Sequence, residues 1–326
     1  MLSMKLKPLL ARLATGVLRS KLNPDNNVGV LYFHRVLKRK DPFFPDDFTE
    51  TEFSDLLDVL AASFELCTVS EGIRKAGEKT EKPVLCITFD DGYFDNFSNA
   101  LPILEEKGVK ATFFVATSGV ERGYLDQDIV ENWFRNADDA FIPLALRNVP
   151  GGPLLGDSPD RAKAYQKYLN YFKYLTPEYQ AKIALARLSQ IQSIPTIQDC
   201  MMKPEHLKRL VELGHEVGGH THSHRILTTV EDDEALEEIE TCKKSLEEWV
   251  EQKVSAFAYP NGNPETDFTE SHVAMVKGCG FNVAFSTKDG GVSSRENGQP
   301  MQRFLPYRRE PLQFALSSLK IMGESA

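Results

Sequence analysis

Three histidines, His220, His222 and His224, fall within five residues of a chain that has only seven. In an extended chain all three share one face, which would make a three-histidine metal site. In a helix only His220 and His224 do, at i and i+4. Gly218 and Gly219 break the preceding strand, and Ser and Thr suit a helix start. The expected geometry is therefore helical, with His220 and His224 as ligands and His222 turned aside. A second feature is Thr88-Phe89-Asp90-Asp91-Gly92, two adjacent carboxylates after an apolar run. Alone, Asp-Asp-Gly reads as a turn. Beside two histidines it reads as more. A catalytic zinc takes three N or O ligands and leaves a position for water, whose pKa falls to about 7. Asp90 or Asp91 can complete the set, and the other is then free to act as a base.

The elements that must position these groups follow a strand-then-helix rhythm. Val28–Phe33 and Val84–Phe89 are continuous apolar runs, as expected of strands buried on both faces. Further strands are expected at Ala111–Val115, His215–Val217, Ser255–Tyr259 and Asn282–Ser286. Helices are expected at Phe53–Phe64, after a Thr49/Glu52 capping box, and at Asn96–Lys107, Pro204–Leu213, Glu231–Gln252, Glu270–Cys279 and Pro311–Met322. The acidic run in Glu231–Gln252 reads as a solvated face. Residues 125–200 break the rhythm: Asn148–Pro159 reads as loop, and Arg161–Tyr174 and Pro177–Ile191 as helices. This stretch is expected to be a helical insertion, a lid or one wall of a substrate groove. Alternating βα elements imply a parallel α/β barrel or open sheet, with the site at the C-terminal strand ends.

Length and composition agree. A chain of 326 residues predicts two domains or one large barrel with insertions. A formal charge of −9 argues against nucleic acid as the main partner. Five cysteines, without C-x-x-C spacing, read as reduced and mostly buried thiols in a reducing, cytoplasmic compartment. Residues 1–24 carry Lys5, Lys7, Arg12, Arg19 and Lys21 and no acid. Arg12 interrupts the apolar run, so the segment is a poor signal peptide. Leu2, Leu6, Leu9, Leu10, Leu13 and Val17 fall at helical spacing, giving a basic amphipathic helix for the inner face of an anionic membrane or for packing on the domain. The sequence does not fix the oligomeric state.

Taken together, Thr88-Phe89-Asp90-Asp91-Gly92, His220-Thr221-His222-Ser223-His224 and Phe257-Ala258-Tyr259-Pro260-Asn261-Gly262 resemble the polysaccharide deacetylase family (NodB homology, carbohydrate esterase family 4). The resemblance runs over about residues 28–310. It implies a distorted (β/α) barrel, placed here at 25–326 with the insertion at about 125–200. It implies Asp90 as catalytic base, Asp91, His220 and His224 as metal ligands, and Thr221 as a hydrogen bonder that holds the loop. The third motif often reads R-x-P-Y-G. Here Ala258 stands at the arginine and Asn261 at the tyrosine, similar to the F-A-Y-P-Y-G variant of deacetylases of exported poly-N-acetylglucosamine. The Asn261 backbone N–H is the implied oxyanion donor. Arg303 is the expected replacement for the missing arginine, ahead of Arg308 and Arg309. No L-x-H motif follows His272. Leu31-Tyr32-Phe33-His34-Arg35-Val36 resembles the same branch, which assigns His34 the general-acid role. His206, His215 and His272 read as surface residues.

The function this implies is metal-dependent hydrolysis of the N-acetyl amide of an amino sugar in a polysaccharide or glycan precursor. Zn²⁺ is the expected ion, and Co²⁺ or Ni²⁺ suit the same ligands. Two rivals are deacetylation of a lipid-linked sugar or small amide, and a non-catalytic carbohydrate-binding protein on the same fold.

Overall fold

A computed structural model describes residues 8–9, 27–136, 149, 160–180, 199–292 and 299–323. In chain order its first elements are β1 (Val28–Phe33), β2 (Val36–Leu37), β3 (Phe48–Thr49), α1 (Glu50–Ser63), β4 (Glu65–Cys67), α2 (Val69–Lys75) and β5 (Val84–Phe89). A five-residue π-turn at Asn96–Ala100 leads into α3 (Leu101–Glu106), followed by β6 (Thr112–Val115), α4 (Thr117–Arg122), α5 (Asp126–Asn136) and α6 (Arg161–Phe172). The chain continues with α7 (Pro204–Glu212), β7 (Glu216–Gly219), α8 (Asp232–Val250), β8 (Ala256–Ala258), α9 (Glu270–Gly278), β9 (Val283–Ser286), β10 (Met301–Gln302) and α10 (Pro311–Gly323).

The buried apolar runs are the strands, and all pairings in the main sheet are parallel. The order is β1-β5-β6-β7-β8-β9-β10, with β4 also on β5. The ends of this path meet: Phe304, just past β10, bridges Leu31, its N–H donating to Val30 O at 3.0 Å. The sheet is thus closed into the expected barrel. Inward residues Val28, Val30, Cys86, Phe114, Ala256, Ala258 and Phe285 fill its lumen. Outward residues such as Leu31, Phe33, Ile87, Phe89, Phe113 and Phe257 pack under the helices. The Thr49/Glu52 box caps α1 as expected, the Thr49 N–H reaching Glu52 Oε2 at 2.8 Å.

Three expectations are corrected. First, Gly218 and Gly219 lie inside β7 and do not break it. A Cβ on Gly218 would come within 2.5 Å of the Phe114 ring, so glycine is there to let a lumen aromatic approach the strand. Second, His215 and His272 are buried, each Nδ1 accepting a backbone N–H at 3.1 Å, from Ala111 and Thr269. Third, the acidic α8 is not all solvated face, since Glu238 is buried.

The helical insertion has an aromatic core of its own. Val130, Trp133 and Phe134 of α5 pack with Ala164, Tyr165, Tyr168 and Phe172 of α6 and with Phe43 from the segment before β3. The basic N-terminal segment, except residues 8–9, the loop at Asn148–Pro159, except Val149, and the helix at Pro177–Ile191 beyond residue 180 lie outside the described residues. Among the described residues, no helix is long and apolar enough to cross a membrane.

Candidate active site

Asp90 follows the last residue of β5 and is only 3% exposed. Its N–H is held by Phe33 O at 2.8 Å, which fixes it at the mouth of the barrel. Arg303, fully buried in the lumen, meets it fork to fork: Nη1 donates to Oδ1 at 2.7 Å and Nη2 to Oδ2 at 2.9 Å. The guanidinium lies between the rings of Tyr32 and Phe114, 5.3 and 5.2 Å from their centroids. Burial pushes the Asp90 pKa up, but Arg303 and then His220 outweigh it and hold the carboxyl below its usual range. Arg303 thus makes the contact to Asp90 that was expected of it in place of the arginine missing at Ala258. Arg309 pairs instead with Asp46 at 3.4 Å.

Asp91 takes a left-handed backbone, φ +74°, which turns its side chain away from that of Asp90. Its Oδ1 lies 3.5 Å from His220 Nε2 and 3.0 Å from His224 Nε2. One ligand atom from each of the three residues falls within a 4.8 Å cluster. The tautomer of His220 is decided from outside: its Nδ1 lies 2.7 Å from Ala258 O, so it must donate there. That leaves a lone pair on Nε2 facing the Asp91 carboxylate. Two acceptors are turned toward each other, and Asp91 Oδ1 is buried without a hydrogen-bond partner. A cation between them resolves both, so the residues present fit a divalent ion.

The histidine stretch is a loop, not the expected helix start. Thr221 (φ +61°) and His224 (φ +59°) are both left-handed, and these two turns bring His224 back beside His220. The loop lies across the start of α4, whose free N–H groups need acceptors. Ser118 N–H donates to His222 O at 2.7 Å, and Thr117 N–H to Thr221 O at 3.4 Å. His222 is indeed turned aside, its Nδ1 2.8 Å from Thr117 Oγ1. The Thr221 hydroxyl does not hold the loop: it is buried with no hydrogen bond among the described residues. Glu238 does that work, accepting the Ser223 N–H at 2.7 Å and the Ser223 hydroxyl.

These groups open on one cavity of about 320 Å³, lined also by His34, Asp47, Asn261 and Thr287. His34 follows β1, exposed, with its ring edge on Tyr32. Burial pushes the nearby Asp47 up to about 6, against the pull of His34 and Arg35. Asn261 is left-handed, φ +61°. Its carboxamide donates to Asp267 Oδ2 at 2.6 Å and to the Tyr174 hydroxyl at 2.9 Å. All seven sequence-derived site residues therefore stand on or directly beneath one cavity.

Several contributors are not visible in the sequence, and most come from the insertion. Gln127 of α5 donates to Asp91 Oδ2 at 3.1 Å and lies 2.8 Å from the Tyr93 hydroxyl. Tyr93 in turn donates to the buried Asp128 at 2.8 Å. Tyr165, Gln166, Leu169 and Lys173 form one side of the cavity. Residues of α5 and α6, within the 125–200 stretch, thus line one side of the cavity.

A sequence profile of the family described as polysaccharide deacetylase matches residues 77–149 and 152–284. The chain belongs to the polysaccharide deacetylase family. Its members are hydrolases of the N-acetyl amide bond. Among curated relatives, YxkH of Bacillus subtilis (strain 168), named for polysaccharide deacetylation, is 58% identical over 36 residues; that stretch is 11% of this chain and 12% of the relative. The fold is similar to that of the Streptococcus pyogenes deacetylase PplD, solved with acetate: TM-score 0.59, 16% identity, 91% of this chain and 98% of that one. It is also similar to IcaB from Ammonifex degensii, with TM-score 0.58, 19% identity and coverage of 90% and 97%. In this deacetylase-family chain the Asp-Asp and histidine motifs and the Arg303 replacement converge on one barrel mouth.

Proposed function

We propose that the protein is a metal-dependent deacetylase that hydrolyses the N-acetyl amide of an amino sugar in a polysaccharide or glycan precursor, releasing acetate. The observation that carries this reading is the Arg303–Asp90 fork beside the Asp91, His220 and His224 cluster. A degenerate binding protein has no use for an oriented, ionised carboxylate there. A divalent ion held by Asp91, His220 and His224, Zn²⁺ first among the candidates, supplies Lewis acidity when bound, polarising the amide carbonyl and making a water acidic enough for a weak base.

Asp90 accepts the proton of the attacking water. Arg303 keeps that carboxylate ionised and fixes its plane. As the C–O bond forms, the Asn261 N–H donates to the carbonyl oxygen where negative charge grows. Such a donor is worth roughly 3–4 kcal/mol. The C–N bond then breaks, and His34 gives its proton to the departing amine. The products are acetate and a free amino sugar. The acetate in the PplD structure is the acid product of this reaction class.

The test is acetate release from chitooligosaccharides and from a lipid-linked N-acetylated sugar. Chelated protein is used before and after Zn²⁺, Co²⁺ or Ni²⁺ is restored. Loss of release on chelation, recovery on restoring an ion, and a fall of about 100-fold or more in kcat for Asp90→Asn are expected. Release by Asp90→Asn near the wild-type rate overturns the assignment. The lipid-linked arm tests the second substrate class, for which the basic N-terminal segment gives the reason.

A further inference from the structure

Lys173, the C-terminal cap residue of α6, lines the cavity together with Asp91 and His224. It also lines a smaller adjoining depression with Gln127 and His224. Among the described residues its ammonium has no hydrogen-bond or ion-pair partner. Outside the Asp91, His220 and His224 cluster, the other charged groups around the cavity are matched. Arg35 pairs with Asp95 at 2.7 Å, Asp90 with Arg303 at 2.7 Å, and Asp46 with Arg309 at 3.4 Å. Asp47 sits with His34 and Arg35.

The carboxylates whose charge reaches Lys173 are Asp91 and Asp267. Asp91 Oδ1 faces His220 and His224 Nε2 at 3.5 and 3.0 Å, where it would ligate an ion with them, and its Oδ2 accepts from Gln127. Asp267 accepts from Asn261, from the Asn263 N–H at 2.7 Å, and from the Thr266 and Tyr174 hydroxyls. A cation in a half-buried place without a counter-ion is costly unless a ligand supplies one. A divalent ion held by Asp91, His220 and His224 would make this corner more positive still.

We propose that Lys173 selects acetamido sugars that carry an anionic group, a phosphate or a carboxylate, close to the acetamide. This rests on the deacetylase reading and narrows its substrate class. The lysine comes from the insertion, so it sets specificity and takes no part in the bond-breaking steps.

The experiment compares acetate release by the Zn²⁺-loaded full chain from chitotetraose, a hyaluronan tetrasaccharide and N-acetylglucosamine 1-phosphate. The same panel is run with Lys173→Met and Lys173→Arg. The expected result is a preference of about tenfold or more in kcat/KM for one charged substrate over the neutral one, carried by KM. Lys173→Met collapses that ratio and Lys173→Arg retains most of it. The preferred arm tells phosphate from carboxylate. Equal or better use of chitotetraose overturns the proposal. So does a preference that survives in Lys173→Met, since the anion would then be held elsewhere. If acetate is released from none of the three, the deacetylase reading fails, and calorimetry decides the anion site alone. Tighter binding of N-acetylglucosamine 1-phosphate than of N-acetylglucosamine, lost in Lys173→Met, upholds it; equal binding sinks it.

Discussion

At the scale of single residues, the informative pair is Asp90 and Arg303. Burial alone would push Asp90 up; the arginine reverses the sign. Its folded pKa lies below the unfolded value of about 3.9. The pair's contribution to stability is therefore complete above that value and is lost as pH falls through the folded pKa. Arg303→Met removes the largest opposition to burial and leaves His220 and His34 as the remaining ones. The expected outcome is an acid limb of kcat/KM shifted to higher pH, read from a pH–rate profile. Stability should fall by roughly 3–5 kcal/mol at neutral pH, read by denaturant unfolding. Gln127→Ala frees the second oxygen of Asp91, and metal affinity should drop about 10–100-fold in a chelator competition. Asp90, Asp91, His220 and His224 were legible because each sits in a short motif at a strand end. Gln127 was not, because nothing local to α5 says which face of the barrel the insertion will meet.

At the scale of elements, the histidine loop shows where propensity misleads. Ser223 and Thr221 suited a helix start, yet the stretch turns twice through left-handed backbone. The reason is tertiary: carbonyls 221 and 222 satisfy the start of α4, and Glu238 of α8 holds Ser223. Glu238→Ala should strand the Ser223 N–H and cost about 1–3 kcal/mol. Metal affinity should weaken while far-UV ellipticity stays near wild type. Long apolar runs such as Val28–Phe33 and Val84–Phe89 were readable to the residue, since burial on both faces leaves them nearly all apolar, the buried Thr88 hydroxyl being satisfied by Leu31 O at 2.8 Å. The two-residue strands β2, β3 and β10 were not, because they are too short for a period to show.

At the scale of the whole molecule, closure of the barrel accounts for a catalytic-site pairing that spans most of the chain. Arg303 is 213 residues from Asp90 and reaches it because the segment after β10 bridges β1. The same closure sets His34, at the end of β1, on the same mouth. The insertion stands apart from that core, with aromatic packing of its own, and this has an optical consequence. The chain has two tryptophans. Trp249 lies on α8 against the main core, and Trp133 is 1% exposed within the wall. Trp249→Phe leaves a single tryptophan, and its emission, excited at the red edge beyond tyrosine absorption, reports on the wall alone. Its emission should shift to the red at a lower denaturant concentration than the loss of far-UV ellipticity; coincident curves would mean that wall and barrel melt together. The substrate-facing side of this molecule can therefore be followed by intrinsic emission, without a label, separately from the barrel that carries it.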